Sequence, residues 1–441
     1  MPSSVSPWNG QAVWSGPDAV DPGREVARLA AAFAAHPPDA LRLQEGLRRL
    51  AEVLTAHRAE AIDLLVREAG KTTADASAEA DLLPRKIAIT LGEGLLRTSL
   101  ALPEREQGIL WRPRGVAVVL GPFNFPLHLL HGLVAPALAV GCPVVAKPSE
   151  RTPGCGAFYA RCITEAALDQ WCTVVQGGAE VAAALVDAPG TATVAAVGSR
   201  RMGLALAQRL ASRPEVVLAL ELGGMNHALV CDDAELERAI PALADGAWRM
   251  AGQRCTATRI VHVPRARLGD LVELLALERH RWQPTGSPDG PIGPLISVAD
   301  RDRFAAAWAE APADWTRLDD GPLGDGAFCA PRLAIVGRRD HDLYRHEHFG
   351  PGLIIDPYDV EADAVARMRA NPCRLAASVW TAGRERFCQL AACLPYGLVV
   401  HNRNTAGARS DLPFGGLGQS GNGRPAAIAA GAIFADECVT G

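Results

Sequence analysis

The chain has 441 residues, of which 49% are apolar and 21% charged, and this composition excludes a disordered or fibrous protein. At about 100–200 residues per domain, the length predicts two or three domains. The 44 basic and 49 acidic side chains leave a net charge of −5 at pH 7, so no global basic field is present that would hold nucleic acid or an anionic membrane.

Targeting signals are not evident in the sequence. Residues 1–16 lack the basic region and apolar core of a secretory signal, which predicts a cytoplasmic protein. The longest mostly apolar stretch, 133–146, contains two prolines and is shorter than the roughly 20 residues of a membrane span. We therefore expect no membrane partner. The 11 cysteines include no CxxC spacing, which is typical of reduced thiols that pack as small apolar side chains.

The first part of the chain predicts helices and the next part predicts alternating strands and helices. Residues 22–98 repeat Ala, Leu and Arg at three- and four-residue spacing, as amphipathic helices do. Apolar β-branched runs at 109–112 and 116–120 predict strands. The alternation that follows predicts a doubly wound parallel sheet. It comprises helices at 127–139, 154–167, 180–186 and 201–212, and strands at 143–146, 172–175, 193–196 and 216–220.

The alternation restarts after Gly223-Gly224, which predicts a second α/β domain. Two stretches rich in Pro, Gly and Asp, 283–290 and 311–326, predict loops. The predicted elements of this part are strands at 227–230 and 259–263 and helices at 236–250 and 268–277.

Two nucleotide-binding motifs are matched only in part. Residues 416–421 fit G-x-G-x-x-G, but the chain ends before the acidic residue expected about 20 positions later. Gly70-Lys-Thr72 resembles the end of a phosphate loop, yet Leu65 occupies the position of its first glycine. Neither motif predicts a site.

Three histidines, His341, His346 and His348, are close in sequence and raise the question of a metal. No compact set of acidic or thiol ligands accompanies them. We therefore predict a polar loop and no metal site.

Cys255 lies among the small and polar residues of Gly252-Gln-Arg-Cys-Thr256, between an apolar helix and an apolar strand. Such neighbours leave a sulfur accessible, as a nucleophilic thiol requires, although this feature alone favours a structural cysteine. Glu221 ends a predicted strand, at the sheet edge where α/β ligand sites form. Asn124 offers an amide N–H at the tip of another strand. Together they could serve as nucleophile, base and oxyanion donor.

Six motifs extend this pattern over nearly the whole chain, in order and at suitable spacing. They are Gly121-Pro-Phe-Asn-Phe-Pro126, Lys147-Pro-Ser-Glu150, Leu220-Glu-Leu-Gly-Gly224, Gly252-Gln-Arg-Cys255, Glu347-His-Phe-Gly-Pro351 and Pro413-Phe-Gly-Gly416. With them the chain resembles the aldehyde dehydrogenase superfamily. Four further segments are Lys86-Ile-Ala-Ile89, Ala219-Leu-Glu-Leu-Gly-Gly224, Asn402-Arg-Asn-Thr-Ala-Gly407 and Gly418-Gln-Ser-Gly-Asn422. They resemble the N-succinylglutamate 5-semialdehyde dehydrogenases of arginine catabolism.

The resemblance implies an aldehyde dehydrogenase-like α/β fold with a Rossmann-type NAD-binding domain and a second α/β catalytic domain. The implied segments are 1–98 and 113–224 for NAD binding, 99–112 for a small β oligomerisation arm, 225–415 for catalysis and 416–441 for a C-terminal return segment. The C-terminal strand of the arm is expected to be shortened after Val439, which leaves the oligomeric state open. Apolar strands near Ile109 favour a homodimer.

The resemblance also implies a mechanism. Cys255 would attack the aldehyde carbon, while Asn124 and the backbone N–H of Cys255 would hold the oxyanion of the thiohemiacetal. Hydride would leave for the nicotinamide, and Glu221 would activate the water that hydrolyses the thioester.

For the cofactor, Lys147 and Glu150 match residues that contact the adenosine ribose, and a carboxylate there favours NAD over NADP. The alternative to cofactor binding by Lys147 and Glu150 is that they belong to a solvated loop. The alternative for Phe349 is that it packs in the core. Gly223, Gly224, Gly415 and Gly416 are expected to be backbone requirements rather than direct contacts. The remaining expected cofactor residues are Glu347 and Phe349 at the nicotinamide ribose and ring, and Gly198, Ser199 and Gly203 at the pyrophosphate turn.

The expected reaction is oxidation of a semialdehyde to its acid, with N-succinylglutamate 5-semialdehyde as the leading substrate. The alternatives are another small semialdehyde, a CoA-acylating dehydrogenase, against which Glu221 argues, and a catalytically silent nucleotide-binding scaffold. The sequence does not locate the groups that bind the carboxylates of the substrate. Arg259, Arg403 and Arg409 are candidates by position and charge alone.

Overall fold

The computed structural model of the chain describes residues 2–16, 21–98, 108–318 and 326–440. An antiparallel hairpin is followed by four helices, as the spacing of residues 22–98 predicts. Asp21, Asp39 and Thr72 cap three of the helices by accepting hydrogen bonds from backbone N–H groups. These elements are β1 (Ser3–Val5), β2 (Ala12–Ser15), α1 (Pro22–Ala35), α2 (Ala40–Ala56), α3 (Arg58–Ala69) and α4 (Thr73–Ile89), which continues into a π-helical turn at Thr90–Gly94.

The next segment builds the first sheet. Its elements are β3 (Gly108–Pro113), β4 (Val116–Leu120), α5 (His128–Ala139), β5 (Val144–Lys147), α6 (Pro153–Glu165), β6 (Cys172–Val174), α7 (Ala179–Asp187), β7 (Thr191–Gly198), α8 (Arg200–Arg209) and β8 (Val217–Leu222). Five strands lie parallel in the order β8-β7-β4-β5-β6, so the predicted doubly wound sheet is confirmed. Apolar side chains pack on both faces of β4, which explains its uninterrupted apolar sequence.

The second sheet has the order β11-β12-β13-β10-β9-β15-β16. Its segment comprises β9 (Asn226–Val230), α9 (Leu236–Trp248), β10 (Thr258–Pro264), α10 (Leu268–Arg281), α11 (Val298–Ala309), β11 (Thr316–Arg317), β12 (Arg332–Ile335), α12 (Asp342–Arg345), β13 (Gly352–Tyr358), α13 (Glu361–Ala370), β14 (Cys373–Arg374), β15 (Ala376–Trp380), α14 (Arg384–Cys393) and β16 (Leu398–His401). The predicted loop at 283–290 is confirmed. The predicted loop at 311–326 is partly wrong, because β11 pairs antiparallel with β12 at the sheet edge. Residues 319–325 of that loop lie outside the described residues.

After β16 the chain returns to the first sheet. The last strands are β17 (Pro413–Phe414), β18 (Leu417–Gly418), β19 (Gly421–Asn422), β20 (Ala426–Ala427) and β21 (Ala435–Thr440). Strand β19 pairs antiparallel with β8, with Gly421 opposite Glu221. Strand β21 pairs antiparallel with the whole of β3, so a C-terminal strand is present beside the predicted arm strand. Residues 99–107 of the predicted arm lie outside the described residues, and the domain boundaries stay a prediction.

Within the described parts of the chain, no helix combines the length and apolarity that crossing a membrane requires.

Candidate active site

Cys255 follows an unusual turn between α9 and β10. Met250, Ala251 and Gly252 all have left-handed backbones, with φ values of 56°, 51° and 67°. This conformation is strained for the two residues that carry a Cβ. At Gly252 a Cβ would clash with the carbonyl of Gly350, so this turn approaches the segment before β13 closely. The turn leaves Cys255 partly exposed, as a nucleophilic thiol requires.

The backbone around Cys255 is fixed by Asn226, the first residue of β9. Its side-chain amide Nδ2 donates to the carbonyl of Cys255 at 2.8 Å and to that of Ala257 at 2.8 Å. Its Oδ1 accepts from the backbone N–H of Ala376 at 3.0 Å. A buried amide with several backbone partners holds its neighbours in one geometry, so the position of the sulfur is determined by the second sheet.

Asn124 joins the first sheet to this turn. It lies in the loop between β4 and α5, and its Nδ2 donates to the carbonyl of Gln253 at 2.9 Å. The side chain is 7% exposed. Because an amide NH₂ carries two hydrogens, a second N–H remains for another acceptor. The structure therefore brings Asn124 beside the segment that ends in Cys255.

Glu221 is a buried carboxylate on β8. Its Oε2 accepts from the backbone N–H of Gly416 at 3.1 Å, and its Oε1 has no hydrogen-bond partner among the described residues. Burial raises the pKa of Glu221 to about 8, although the Gly416 N–H and the charge of Arg424 act in the opposite direction. A carboxyl group with one free oxygen and a pKa near neutrality suits proton transfer.

The thiol of Cys255 is neutral in this arrangement. Burial raises its pKa far above the ordinary value, and the negative charges of Glu221 and Glu347 raise it further. Both carboxylates therefore act electrostatically on the sulfur. A thiol in this state must give up its proton during nucleophilic attack.

Glu347 is held by Arg259. The Nη2 of Arg259 lies 3.1 Å from Glu347 Oε1 and donates to the carbonyl of Gly252 at 2.8 Å, and its Nη1 donates to the carbonyl of Gly350 at 2.8 Å. Burial raises the pKa of Glu347 to about 7 against the opposing effect of Arg259. A Cβ on Gly223 would clash with Glu347. Both terminal nitrogens of Arg259 are thus engaged within the protein, and its expected role in binding substrate carboxylates is wrong.

An aromatic pair lies beside Glu347. The rings of Phe123 and Phe349 meet edge to face, with centroids 5.9 Å apart, and Phe349 is partly exposed rather than core. Phe123 precedes Asn124 in the loop after β4. The contact joins the two halves of the site across the cleft between the sheets.

The other expected cofactor residues lie at the carboxyl ends of β5 and β7. Lys147 is buried, its Nζ donates to the carbonyl of Pro148 at 3.1 Å, and it lies 3.6 Å from Oε2 of the exposed Glu150. Burial lowers the pKa of Lys147, and the charges of Glu150 and Glu180 oppose that shift. The solvated-loop alternative therefore does not describe Lys147, although it describes the exposed Glu150.

The turn from β7 to α8 contains Gly198 and Ser199. Ser199 caps α8, and its Oγ accepts from the N–H of Met202 at 3.2 Å. Gly203 serves packing, because a Cβ there would lie 2.7 Å from Cδ1 of Leu222 on β8. Gly198 and Ser199 lie at the carboxyl end of β7 and stay candidates for the pyrophosphate turn.

The side chains of the three histidines contact other residues of the protein. Asp342 pairs with Nδ1 of His346 at 2.5 Å and with Nε2 of His348 at 3.3 Å, while the ring of His341 packs on Trp315. Within the described parts of the chain, no group of three or more His, Cys, Asp or Glu side chains is arranged to hold a metal ion. The predicted polar loop is partly wrong, because Asp342–Arg345 form the short helix α12, which His341 caps by accepting from the N–H of Leu343.

The site thus lies between the two sheets. Glu221 is on β8 of the first and Asn124 follows its strand β4, while Cys255 precedes β10 and Glu347 precedes β13 of the second. A model of the aldehyde dehydrogenase family matches residues 3–435 of the chain. The chain belongs to the aldehyde dehydrogenase family.

Similar proteins include one curated relative and two solved structures. This aldehyde dehydrogenase is 37% identical over 443 residues to N-succinylglutamate 5-semialdehyde dehydrogenase 1 of Caulobacter vibrioides, across 96% of this chain and 92% of that protein. An NAD-dependent aldehyde dehydrogenase from Sinorhizobium meliloti has a TM-score of 0.93 and 27% identity, across 99% of this chain and 90% of that one. Proline utilization A of Bradyrhizobium japonicum has a TM-score of 0.90 and 29% identity, across 96% of this chain. The present chain spans only 45% of that protein.

These comparisons confirm the resemblance to the family and to its N-succinylglutamate 5-semialdehyde dehydrogenases, and they confirm the predictions of an enzyme and of an aldehyde dehydrogenase-like α/β fold. The roles of the individual residues stay predictions. Gly416 has a backbone role, because its N–H donates to Glu221 and a Cβ there would clash with the carbonyl of Ser420. Residue types carry no signal for such a backbone contact.

Proposed function

We propose that this aldehyde dehydrogenase oxidises a semialdehyde to its carboxylic acid with NAD through a thioester on Cys255, and that its substrate is N-succinylglutamate 5-semialdehyde. The observation that carries the proposal is the arrangement of three side chains. Asn124 binds the backbone two residues before Cys255, and the charge of Glu221 acts on the thiol. The name of the relative from Caulobacter vibrioides supports the choice of substrate.

The chain's own residues account for the first covalent step. As Sγ of Cys255 bonds to the aldehyde carbon, the thiol proton passes to Glu221, whose Oε1 is free to accept it. The aldehyde oxygen becomes an oxyanion. The second N–H of Asn124 and the backbone N–H of Cys255 would then stabilise that charge.

Bound NAD would supply the hydride acceptor that converts the thiohemiacetal to a thioester. Before the second step, Glu221 releases its proton to solvent. It then removes a proton from the water that attacks the thioester carbon, and the Cys255 sulfur leaves and is reprotonated. The products are the carboxylic acid and the free thiol.

The residues present fit a dinucleotide. The first turn of α8 contains no acidic residue and begins with Arg200 and Arg201, so its free backbone N–H groups favour a pyrophosphate. Glu150 beside Lys147 fits the free 2′-hydroxyl of NAD, whereas the 2′-phosphate of NADP would be repelled. Phe349 and Glu347 would hold the nicotinamide end beside Cys255.

The experiment that tests this function is NADH absorbance after the protein is mixed with NAD and N-succinylglutamate 5-semialdehyde in the absence of CoA. Rapid and sustained NADH formation is expected, with a lower kcat/KM when NADP replaces NAD. Turnover that requires CoA would contradict the hydrolytic mechanism. Turnover of other aldehydes but not of N-succinylglutamate 5-semialdehyde would contradict the proposed substrate.

Replacing Asn124 with alanine tests the oxyanion role. The expected result is a loss in kcat of about 10²–10³-fold, because one of two donors to the oxyanion is removed. KM for the aldehyde should change much less, since the charge develops only after attack. The measurement is steady-state NADH formation at saturating NAD, with the exposed Asn9→Ala as control. An unchanged kcat for Asn124→Ala would remove Asn124 from the mechanism.

We also infer a homodimer formed through the ribbon of β3 and β21. Leu110 on β3 is 44% exposed and Val439 on β21 is 74% exposed, so the ribbon presents apolar side chains to solvent. A second copy of the chain would cover them. Light scattering after size exclusion should give twice the mass of one chain, and a monomer at high concentration would contradict the inference.

A further inference from the structure

Lys86 is a buried lysine whose charge is not matched by an acid. The chain contains only three lysines, Lys71, Lys86 and Lys147. Lys71 lies 2.7 Å from Oε2 of Glu79, and Lys147 lies 3.6 Å from Oε2 of Glu150. Lys86 is 3% exposed, and within the described parts of the chain its ammonium has no ion pair or hydrogen bond. An unpaired buried ammonium is costly, which indicates a role other than stability.

Lys86 lies against the helix that starts next to Asn124. Its Cε would be 3.6 Å from a Cβ on Gly132, an ordinary van der Waals contact, so the lysine side chain lies against α5 at this residue. The helical hydrogen bonding of α5 begins with the N–H of Leu129, which donates to the carbonyl of Phe125. Seven residues at 1.5 Å each place Gly132 about 10 Å from Phe125 along the helix.

One face of α5 remains accessible between these points. Phe125, His128, Leu129 and Gly132 are partly exposed, and their spacing of three, four and seven residues puts them on a single face. The residues between them, 126, 127, 130 and 131, are buried. We call this face the α5 groove. It runs from Asn124, at the proposed reaction centre, to Lys86.

The other ionisable groups of the α5 groove carry no uncompensated charge. Burial, together with the charges of Lys86, His131 and Lys71, lowers the pKa of His128 to about 3, so its ring is neutral. Burial likewise lowers the pKa of His131 to about 3. Lys71 is neutralised by Glu79 and lies 3.8 Å from the centroid of the Phe125 ring. The net positive charge at the far end is therefore that of Lys86.

The three arginines considered from the sequence do not offer such a charge. Arg409 is paired with Asp411 at the surface, and Arg403 is exposed. Arg259 is bound to Glu347. None of them combines burial with a free charge as Lys86 does.

We propose that Lys86 binds the succinyl carboxylate of the substrate, at the end of the α5 groove opposite Cys255, and so selects long anionic semialdehydes. This proposal rests on the proposed function. The succinyl carboxylate lies at the opposite end of N-succinylglutamate 5-semialdehyde from the aldehyde group, as Lys86 lies at the opposite end of the groove from Asn124. An ammonium in a poorly solvated site binds a carboxylate strongly.

The test is the KM of Lys86→Met for two aldehydes, N-succinylglutamate 5-semialdehyde and the neutral hexanal. For the anionic substrate we expect KM to rise about tenfold to hundredfold, the loss typical of a hydrogen bond to a charged group, with kcat nearly unchanged. KM for hexanal should not change. Lys86→Arg should restore much of the affinity. Arg85→Met, which removes an exposed charge from the neighbouring position, should behave as the wild type.

The pH dependence provides a readout that a purely structural lysine would not affect. Burial lowers the pKa of Lys86 to about 8, so the free enzyme loses this charge as the pH rises through that value. KM for the anionic substrate should therefore increase above about pH 8 in the wild type and not in Lys86→Met. KM for hexanal should show no such dependence in either protein.

Two sets of results would overturn the proposal while the proposed function stands. In the first, the Lys86→Met KM for the anionic substrate is unchanged; in the second, it rises equally for both aldehydes. If the wild type oxidises neither aldehyde, the proposed function fails, and calorimetry with the stable product N-succinylglutamate decides about Lys86. Equal affinity of wild type and Lys86→Met, or no binding to either, would then overturn the proposal.

Discussion

Cys255→Ala is expected to abolish aldehyde oxidation while the affinity for NAD stays within a few-fold. Sγ of Cys255 forms the only covalent bond to substrate in the proposed mechanism, so its removal leaves no route to the thioester. The cofactor residues lie at the edge of β5 and β7 and beside Glu347, and none of them contacts the thiol by a hydrogen bond. The measurements are steady-state NADH formation and NAD titration of the variant by fluorescence.

Cys373→Ala is the matched control for this experiment. Cys373 is also partly exposed, and the charge of Glu347 contributes to raising its pKa, as it does for Cys255. It lies on β14, which pairs with β18, and the hydrogen bonds of its side chain to described residues include no donor that corresponds to Asn124. Cys373→Ala should retain turnover. Residual turnover by Cys255→Ala, or its loss in Cys373→Ala, would show that the nucleophile was assigned to the wrong cysteine.

Glu221→Gln should produce one equivalent of NADH and then nearly stop, because the thioester forms but is hydrolysed slowly. General base catalysis typically contributes 10²–10⁴-fold, and a loss in steady-state kcat of that order is expected. Water must accept the thiol proton in the variant, so this first equivalent should form more slowly than the first turnover of the wild type. Stopped-flow NADH absorbance separates the two phases. Unchanged steady-state turnover would show that another base serves.

The pH dependence of the wild type follows from the same carboxyl group. The pKa of Glu221 is raised to about 8, so the base is mostly protonated at neutral pH. Turnover limited by hydrolysis should increase as the pH rises toward 8 and then level off, and this dependence should vanish in Glu221→Gln. A wild-type profile that is flat between about pH 6 and 9, a range that spans the pKa of Glu221, would contradict this assignment.

Glu221 also makes stability depend on pH in a defined direction. Its pKa is raised from 4.5 to about 8 by folding, so between these values the folded state binds more protons than the unfolded state. The free energy of unfolding contributed by this group therefore falls as the pH rises from 4.5 to about 8. Glu221→Gln lacks that loss, and its stability relative to the wild type should increase over the same range in denaturant titrations.

The elements with regular apolar patterns were predictable from the sequence. The run Val116–Leu120 is apolar throughout because it is a central strand with apolar side chains packed on both of its faces. The helical spacing of residues 22–98 matches four helices. Strand β11 was not predictable, because two residues of an edge strand carry no periodicity and depend on pairing with β12. Local pattern therefore determined the long elements, and tertiary pairing determined the short ones.

The candidate site was predictable to the extent that its chemistry lies in side chains. Cys255, Glu221 and Asn124 stand in motifs with a recognisable order. The ion pair of Arg259 with Glu347 joins residues 88 positions apart, and the N–H of Gly416 on Glu221 has no side-chain signature. Lys86 is informative only when its burial and its missing partner are known, and both depend on the packing of α4 against α5.

The thioester on Cys255 is tested by mass spectrometry of Glu221→Gln, acid-quenched once the first equivalent of NADH has formed from NAD and N-succinylglutamate 5-semialdehyde. The peptide containing Cys255 is expected to gain the mass of the N-succinylglutamyl group, in an amount equal to the NADH released. Release of NADH with an unmodified Cys255 peptide, or with the acyl group on another cysteine, would contradict it.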